Sequence, residues 1–131
     1  MKLEQQVVSL ELARRLNELG VKQESVWTWN EGEQEWWVGL ERPIGHLEGV
    51  QAAEWYAAFT VAELGEILPA SVKTGSSHMH FGCDKTDSGW SAKYRGSGKL
   101  WKHADNLADA MAALVIYLIA EGLWKPEGQA A

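Results

Sequence analysis

Residues 77–95, with the sequence SHMHFGCDKTDSGWSAKYR, form the part of this chain in which the pattern of side chains is clearest. Ser77 to Asp84 and Trp90 to Arg95 alternate between apolar and polar residues, which is the period of a β-strand with one buried face. The five residues between them, 85–89, are mostly of the types that form turns. The segment therefore predicts an antiparallel β-hairpin.

The alternation also assigns the side chains of this hairpin to two faces. We expect the apolar face to lie against the core, with the members Met79, Phe81, Cys83, Trp90, Ala92 and Tyr94. The opposite face then carries His78, His80, Lys93 and Arg95. A buried Cys83 would be an unreactive thiol, because burial disfavours the thiolate form.

Three helices and another hairpin are predicted on either side of this segment. Ser9 to Gly20 has an apolar stripe at helical spacing, with a capping residue at one end and a glycine stop at the other. A capping box at residues 60–63 begins a short helix that ends before Pro69. The last helix runs from about Asp105 to Glu121, and residues 26–40 predict two aromatic-rich strands around a polar turn.

We therefore predict an α+β fold, with an antiparallel sheet built from two β-hairpins and three helices in the order α-ββ-α-ββ-α. The length suits a single globular domain over residues 1–131. Residues 41–58 follow no clear period, so we expect an irregular segment there that is compatible with extended or helical structure. Residues 126–131 are predicted to form a flexible tail.

Three stretches resemble a known family: SLELARRLNELGVKQES at 9–25, AFTVAELGEILP at 58–69 and NLADAMAALVIYLIAEGL at 106–123. The family consists of small proteins of unassigned activity that are encoded in bacteriophage genomes and in prophages of bacterial chromosomes. The resemblance covers about a third of the chain, namely the three helices and their caps. It implies a phage or prophage origin but no catalytic or binding residue, and residues 73–103 depart most from the family pattern.

Charge is unevenly distributed along the chain. The whole sequence has 12 basic and 18 acidic residues and a net charge of −6, which argues against a general nucleic-acid coat. Residues 1–69 and 104–131 carry net charges of −7 and −3, whereas residues 70–103 carry 6 basic and 2 acidic residues. The second hairpin is thus predicted to be a basic region in an acidic protein.

The sequence also predicts the compartment of the protein. The single cysteine, Cys83, cannot form an internal disulfide and fits a reducing environment. The first six residues, MKLEQQ, lack the apolar run of a signal peptide. The longest apolar run, residues 110–120, is about half as long as a membrane-spanning helix. We expect a cytoplasmic protein without a membrane segment.

One hypothesis places nucleic acid on the basic second hairpin, residues 73–103. The candidate residues are His78, His80, Lys93, Arg95, Lys99, Trp101 and Lys102. Lysine and arginine side chains contact phosphates, and tryptophan stacks on bases. The alternative is an ordinary solvated strand face, and the chain has no RNP, KH or zinc-finger motif.

Metal binding and catalysis find little support in the sequence. His78 and His80 share a strand face, and Asp84 or His103 could supply a third ligand, but no further cluster has the spacing of metal ligands. Residues 96–100, GSGKL, lack the earlier glycine and the later hydroxyl residue of a phosphate-binding loop. We expect no metal and no cofactor, and the sequence assigns no catalytic residue; an enzyme whose site carries no recognisable motif is a third alternative.

Eight tryptophans in 131 residues suggest an aromatic contact surface. Alternation in the first hairpin places Trp36 and Val38 on one face of a strand and Trp37 on the other. Trp37 and Trp55 are therefore the candidates for an exposed aromatic patch, since such residues anchor interfaces. A layer of structure that covers both side chains is the alternative.

Taken together, these patterns favour a non-catalytic accessory protein of phage or prophage type that binds a protein partner or a second copy of itself through aromatic sheet surface. Nucleic-acid binding through the basic second hairpin is the alternative function. Salt dependence separates the two hypotheses, because phosphate contacts weaken steeply as the salt concentration rises.

Overall fold

The structure of the protein is a computed structural model that describes residues 2–32, 35–39, 55–74, 77–96 and 98–126. These residues form a short 3-10 helix, three α-helices and seven β-strands. In chain order the helices and strands are α1 (Leu10–Glu18), β1 (Thr28–Glu31), β2 (Trp36–Gly39), β3 (Trp55–Ala57), α2 (Val61–Ile67), β4 (Ser71–Thr74), β5 (Ser77–Thr86), β6 (Gly89–Tyr94), β7 (Trp101–Ala104) and α3 (Leu107–Ala120). The content of helix and strand confirms the predicted α+β class.

The strands form two antiparallel sheets, where the sequence pattern predicted one. The first sheet has the strand order β2-β1-β3, and the second sheet has the order β4-β5-β6-β7. Strands β3, β4 and β7 are additional to the four that the sequence predicts. Each has only three or four residues, which is too short for alternation to stand out, and each is defined by pairing with a neighbour along the sheet.

Helices α1 and α2 begin as the sequence predicts. The hydroxyl of Ser9 accepts a hydrogen bond from the N–H of Leu12, and Gly20 follows the end of α1 with a φ of 86°. At α2 both halves of the capping box are present: Thr60 accepts from the N–H of Glu63, and the Glu63 carboxylate accepts from the N–H of Thr60. These ends are fixed by local hydrogen bonds.

The predicted second hairpin is formed by β5 and β6, but its turn has two residues, Asp87 and Ser88, rather than five. Gly89 follows this turn with a φ of 151°. A Cβ atom at this position would overlap the carbonyl oxygen of Ala104 in β7. Glycine is therefore required where β6 passes close to its neighbour in the sheet.

Helix α3 joins the second sheet to the other helices. It packs against β6 and β7 and also contacts α1 and α2. The sequence predicts one apolar stripe, but the buried residues are distributed around the helix: Ala108, Ala110, Met111, Ala112, Leu114, Val115 and Leu118. A helix with apolar residues all round is covered on several sides, as this one is.

The exposure of Cys83 corrects one prediction. Cys83 lies on the same face of β5 as the buried Met79, yet its side chain is exposed. Helix α3 packs against β6 and β7, so the covering layer does not extend over this part of β5. The prediction of a buried cysteine is therefore wrong.

Two of the predicted segments fall partly outside the described residues. Of the irregular segment 41–58, residues 55–57 form β3, and residues 41–54 lie outside the described part of the chain. Of the tail 126–131, Pro126 is buried and residues 127–131 lie outside the described part. Residues 55–57 are thus extended, which is one of the two conformations that the sequence left open for this segment.

None of the helices formed by the described residues combines the length and the apolar composition that a bilayer crossing requires. The longest of them, α3, has 14 residues.

Candidate nucleic-acid interface

Helix α3 covers one face of the second sheet. The buried Ala92 and Tyr94 lie on this face, and Lys102, which pairs with Ala92, places its ammonium group 4.6 Å from the centre of the Tyr117 ring of α3. We call the opposite face the open face, since its side chains are exposed or half-buried apart from Ser91. Strand register assigns to it Ser71, Lys73, His78, His80, Gly82, Asp84, Thr86, Ser91, Lys93, Trp101 and His103. Arg95, the residue after β6, also lies on this face, because its guanidinium group lies over Gly82.

An aromatic pair stands on the open face along β7. The ring planes of Trp101 and His103 lie 24° apart and their centres are 6.3 Å apart, a stacked arrangement. The Nε2 atom of His103 lies within hydrogen-bond distance of the hydroxyls of Thr86, at 3.1 Å, and Ser88, at 3.2 Å. The Trp101 side chain is 49% exposed. The pair is thus an accessible aromatic surface, in which the hydroxyls of Thr86 and Ser88 hold the His103 ring and the Trp101 ring is open to solvent.

Lys93 lies opposite both Gly82 and Trp101 in the strand register. Its ammonium group forms an ion pair with the Asp84 carboxylate at 2.6 Å. The hydrogen bond and the charge of Lys93 hold the pKa of Asp84 below its ordinary value. Asp84 is therefore ionised at neutral pH and pairs with Lys93.

Arg95 lies along the surface of the sheet, over the backbone of Gly82. A Cβ atom at residue 82 would lie only 2.7 Å from Nε of Arg95, so glycine at this position lets the guanidinium group approach the strand. Beside the two cations is a shallow depression of about 390 Å³. It is lined by Lys93, Tyr94, Arg95, Gly96, Gly98 and Trp101. The depression brings two cations and an aromatic ring to one site.

Most of the residues that the sequence predicted for a basic face lie together on the open face of the second sheet. His78, His80, Lys93, Arg95 and Trp101 all lie on the open face. Cross-strand pairing orders them in neighbouring rows: Lys73 is opposite His78, the N–H of Arg95 donates to the carbonyl of His80, and Lys93 is opposite Trp101. Lys99 is exposed in the connection between β6 and β7.

Lys102 is the candidate residue for the basic face that the structure places on the opposite side of the sheet. It follows Trp101 in β7, so its side chain lies on the covered face, over Tyr117. Sequence analysis did not include Lys73, Asp84 or His103 in the basic face. Alternation along residues 101–104 would have indicated His103 and excluded Lys102, if this stretch had been recognised as a strand.

Metal coordination is not indicated by the arrangement of these side chains. Within the part of the chain that the structure describes, no group of three or more histidine, cysteine, aspartate or glutamate residues is placed to hold a metal ion. Asp84 is paired with Lys93, and His103 is near hydroxyl groups. The side chains that sequence analysis considered as third ligands thus have other partners.

The other candidate surface is the aromatic patch of Trp37 and Trp55 on the first sheet. Both residues lie opposite Asn30 in the strand register, so the structure places them on one face in one row. Trp37 is 49% exposed and Trp55 is half-buried. A Cβ atom at Gly39 would overlap the Trp37 ring, which shows that the indole lies over its own strand.

The centre of this row is polar and closed to solvent. Asn30 and Thr28 are each 1% exposed, and the Thr28 hydroxyl donates to Oδ1 of Asn30 at 3.1 Å. The Asn30 amide in turn donates to the Thr28 carbonyl at 3.1 Å. These groups satisfy one another, so the row offers its tryptophan rings rather than free hydrogen-bonding groups.

Comparisons with known proteins do not assign the chain to a family. No family model matches it, and searches of curated proteins and of solved structures returned no similar protein.

Proposed function

We propose that the protein binds single-stranded nucleic acid through the open face of the second sheet. The observation that carries this proposal is the exposed Trp101–His103 pair beside the cations of Lys93 and Arg95. Aromatic side chains stack on unpaired bases, and lysine and arginine neutralise the phosphates between them. Both kinds of side chain are present on one face of the four-stranded sheet.

The geometry favours a single strand over a duplex. A base that is already stacked and paired in a duplex cannot lie on an exposed indole, whereas an unpaired base can. A sheet whose aromatic side chains face outward is a general way of holding unpaired nucleotides. Lys93, Arg95 and Trp101 line the same depression, so a nucleotide stacked on Trp101 would have both cations beside it.

The acidic net charge of the chain does not prevent such binding. Charges separated by more than about 8 Å are largely screened at physiological ionic strength, so the local charge of residues 70–103 decides the contact. This region carries 6 basic and 2 acidic residues. Of these acids, Asp84 is paired and Asp87 lies in the turn between β5 and β6.

The test is fluorescence anisotropy with a labelled single strand of about ten nucleotides and a duplex of the same length. We expect the single strand to bind more tightly and its affinity to fall steeply between low and physiological salt. Lys93→Gln should weaken binding and lower the salt slope by about one, because one phosphate contact is lost. Lys102→Gln is the matched control, since it removes the same charge from the covered face.

Two results would contradict this function. One is the absence of single-strand binding at low salt. The other is an equal loss of affinity in Lys93→Gln and Lys102→Gln, because a general charge effect would not distinguish the two faces of the sheet.

Association with a protein, including a second copy of this chain, is a second candidate function. It is supported by Trp37, which is 49% exposed and shares a face with Trp55. Sedimentation equilibrium over a range of protein concentrations tests self-association. Concentration-dependent assembly that Trp37→Ala abolishes and Trp101→Ala preserves would support it, whereas a monomer at every concentration would exclude self-association through this surface.

We place this binding function in a non-catalytic accessory protein of phage or prophage type that acts in the cytoplasm of a bacterial cell. The support is the resemblance of the three helices and their caps to that family, together with a single cysteine. Nucleic acid is an accessible ligand in that compartment.

A further inference from the structure

Asp84 occupies an unusual position on a surface that the proposed function assigns to phosphate. Among the described residues of the open face it is the one acidic side chain, and its carboxylate bonds to Lys93 at 2.6 Å. Lys93 in turn lines the depression beside Trp101. The cation opposite Trp101 in the strand register is therefore already paired with an anion of the protein.

We propose that Asp84 is a built-in competitor of the nucleic-acid phosphate: its carboxylate holds Lys93 in the free protein and must be displaced when a phosphate binds there. This inference rests on the proposed function and names the residue that sets the affinity of its site. A phosphate that replaces a carboxylate on an ammonium group gains less binding free energy than a phosphate that binds an ammonium group without a partner, because the interaction with the carboxylate is lost.

The pairing leaves Lys93 available for exchange. The Asp84 and Lys93 side chains are 47% and 33% exposed, so the ion pair is open to solvent and of the kind that contributes little to stability. A phosphate can therefore replace the carboxylate without unfolding the hairpin. The pair orients Lys93 in the free protein and limits its affinity for phosphate.

The competition is constant over the neutral pH range. The hydrogen bond and charge of Lys93, and the nearby charge of Arg95, hold the pKa of Asp84 below its ordinary value. Mild acidification therefore does not remove the competing charge. A substitution is the direct way to remove it.

Asp84→Asn is the variant that tests the competition. It keeps the shape of the side chain and removes the charge, so we expect single-strand affinity at low salt to rise about two- to fivefold, the effect of an exposed ion pair. The matched control is Asp87→Asn in the adjacent turn, which changes the net charge equally and should alter affinity by less than about 1.5-fold. Thermal unfolding checks that both variants keep the fold.

A double variant separates competition for Lys93 from general repulsion. In a Lys93→Gln background the carboxylate has lost its ammonium partner, so Asp84→Asn should raise affinity clearly less than it does in the unsubstituted protein. A gain that persists at full size in this background would overturn the competition, since simple repulsion of phosphate by Asp84 would explain it.

The inference and the proposed function fail in different ways. Tight binding by the unsubstituted protein together with no gain in Asp84→Asn overturns the competition and leaves the proposed function intact. Equal gains in Asp84→Asn and Asp87→Asn also overturn it. Absence of binding in the unsubstituted protein and in Asp84→Asn overturns both.

Discussion

The two sheets each present a tryptophan at the same exposure, and their surroundings differ. Trp37 on the first sheet and Trp101 on the second are both 49% exposed. Residues 1–69, which contain Trp37, carry a net charge of −7, whereas residues 70–103, which contain Trp101, carry 6 basic and 2 acidic residues. The exposure of the ring is the same on both sheets, so the charge of the chain segment around it is what distinguishes the two surfaces.

The Trp37 and Trp101 rings also differ in the groups that they contact. Trp37 lies over Gly39 of its own strand, so part of its surface covers backbone. Trp101 stacks on His103, which is held near Thr86 and Ser88 at the end of the hairpin. Arg14 of α1 is a cation near the first sheet, and its guanidinium group lies 5.0 Å from the centre of the Trp36 ring, on the face opposite Trp37. Only the second sheet combines an exposed ring with cations on the same face among the described residues.

Reversal of the charges on the open face should have the largest effect. Lys93→Glu combined with Arg95→Glu places like charges against the phosphates, and we expect single-strand affinity to fall by at least about 100-fold at low salt. Fluorescence anisotropy measures the loss. Lys102→Glu combined with Lys125→Glu makes the same change in net charge away from the open face. Equal losses in the two double variants would show that the whole protein, rather than one sheet, attracts the ligand.

Truncation of the two tryptophans compares the sheets directly. Trp101→Ala removes a stacking contact and should weaken single-strand binding by about 5- to 50-fold. Trp37→Ala removes a ring of equal exposure and should leave the affinity nearly unchanged. The same anisotropy assay serves for both, with duplex as a second ligand. A larger loss in Trp37→Ala would move the interface to the first sheet.

The segment that leads into the first sheet should be sensitive to pH through Glu63. Its carboxylate accepts hydrogen bonds from the Ser25 hydroxyl and from the N–H groups of Val26 and Thr60. Although burial opposes ionisation, these bonds hold the pKa of Glu63 below its ordinary value of 4.5. The resulting stabilisation is therefore complete above that value and is lost as the pH falls through the lower pKa of the folded state.

Glu63→Gln should reduce the free energy of unfolding by about 1 kcal/mol at neutral pH, because an amide oxygen replaces an ionised acceptor. The difference from the unsubstituted protein should shrink in acid. Urea unfolding at several pH values measures it, and single-strand binding is the control, since the open face does not involve Glu63. A difference that grows in acid would contradict the assignment.

Asp109 of α3 should have the smallest effect and the opposite dependence on pH. It accepts the N–H of Ser9 at 2.7 Å, and burial raises its pKa above the ordinary value of 3.8 despite that bond. The favourable contribution of its protonated form is thus present below 3.8 and lost as the pH rises through the higher pKa of the folded state.

Asp109→Asn keeps an oxygen acceptor for Ser9 without a buried charge. We expect an increase of up to about 0.5 kcal/mol in the free energy of unfolding at neutral pH and a flatter pH profile. Chemical unfolding at acid and neutral pH tests this, with Glu66→Gln, at an exposed acid of α2, as the control. If Asp109→Asn instead lowers the free energy of unfolding by more than about 1 kcal/mol, the negative charge of Asp109 stabilises the Ser9 cap of α1.

Elements with local signals could be predicted from the sequence. The Ser9 cap, the Thr60 capping box and the alternation of β5 and β6 depend on residues a few positions apart. The same alternation placed His78, His80, Lys93 and Arg95 on one face, where the register also places them. Local chemistry was sufficient for these features because each is completed within one element.

Features that depend on packing between elements could not be predicted in this way. The face of Lys102 is decided by the pairing of β7 with β6, and a four-residue strand carries too little alternation to show it. The exposure of Cys83 depends on where α3 lies across the second sheet. In both cases the side-chain pattern is compatible with either environment until the neighbouring element is in place.

The Asp84–Lys93 pair shows how a turn controls a site. A two-residue turn aligns Asp84 with Ser91 and Gly82 with Lys93, which brings the carboxylate and the ammonium group together diagonally. A five-residue turn, as the sequence predicted, would have changed the pairing of the strands. The acid could be placed on the outward face from alternation, but its partner could not.

The central claim is that the open face of the second sheet, and not the first sheet, holds single-stranded nucleic acid. Titration of isotope-labelled protein with a short single strand, followed by two-dimensional NMR of the backbone amides and indole N–H groups, tests it most directly. The account predicts shifts at Trp101, His103, Lys93 and Arg95 that saturate with the ligand, with Trp37 unchanged. Shifts centred on Trp37, or a spectrum that the single strand leaves unchanged, would contradict it.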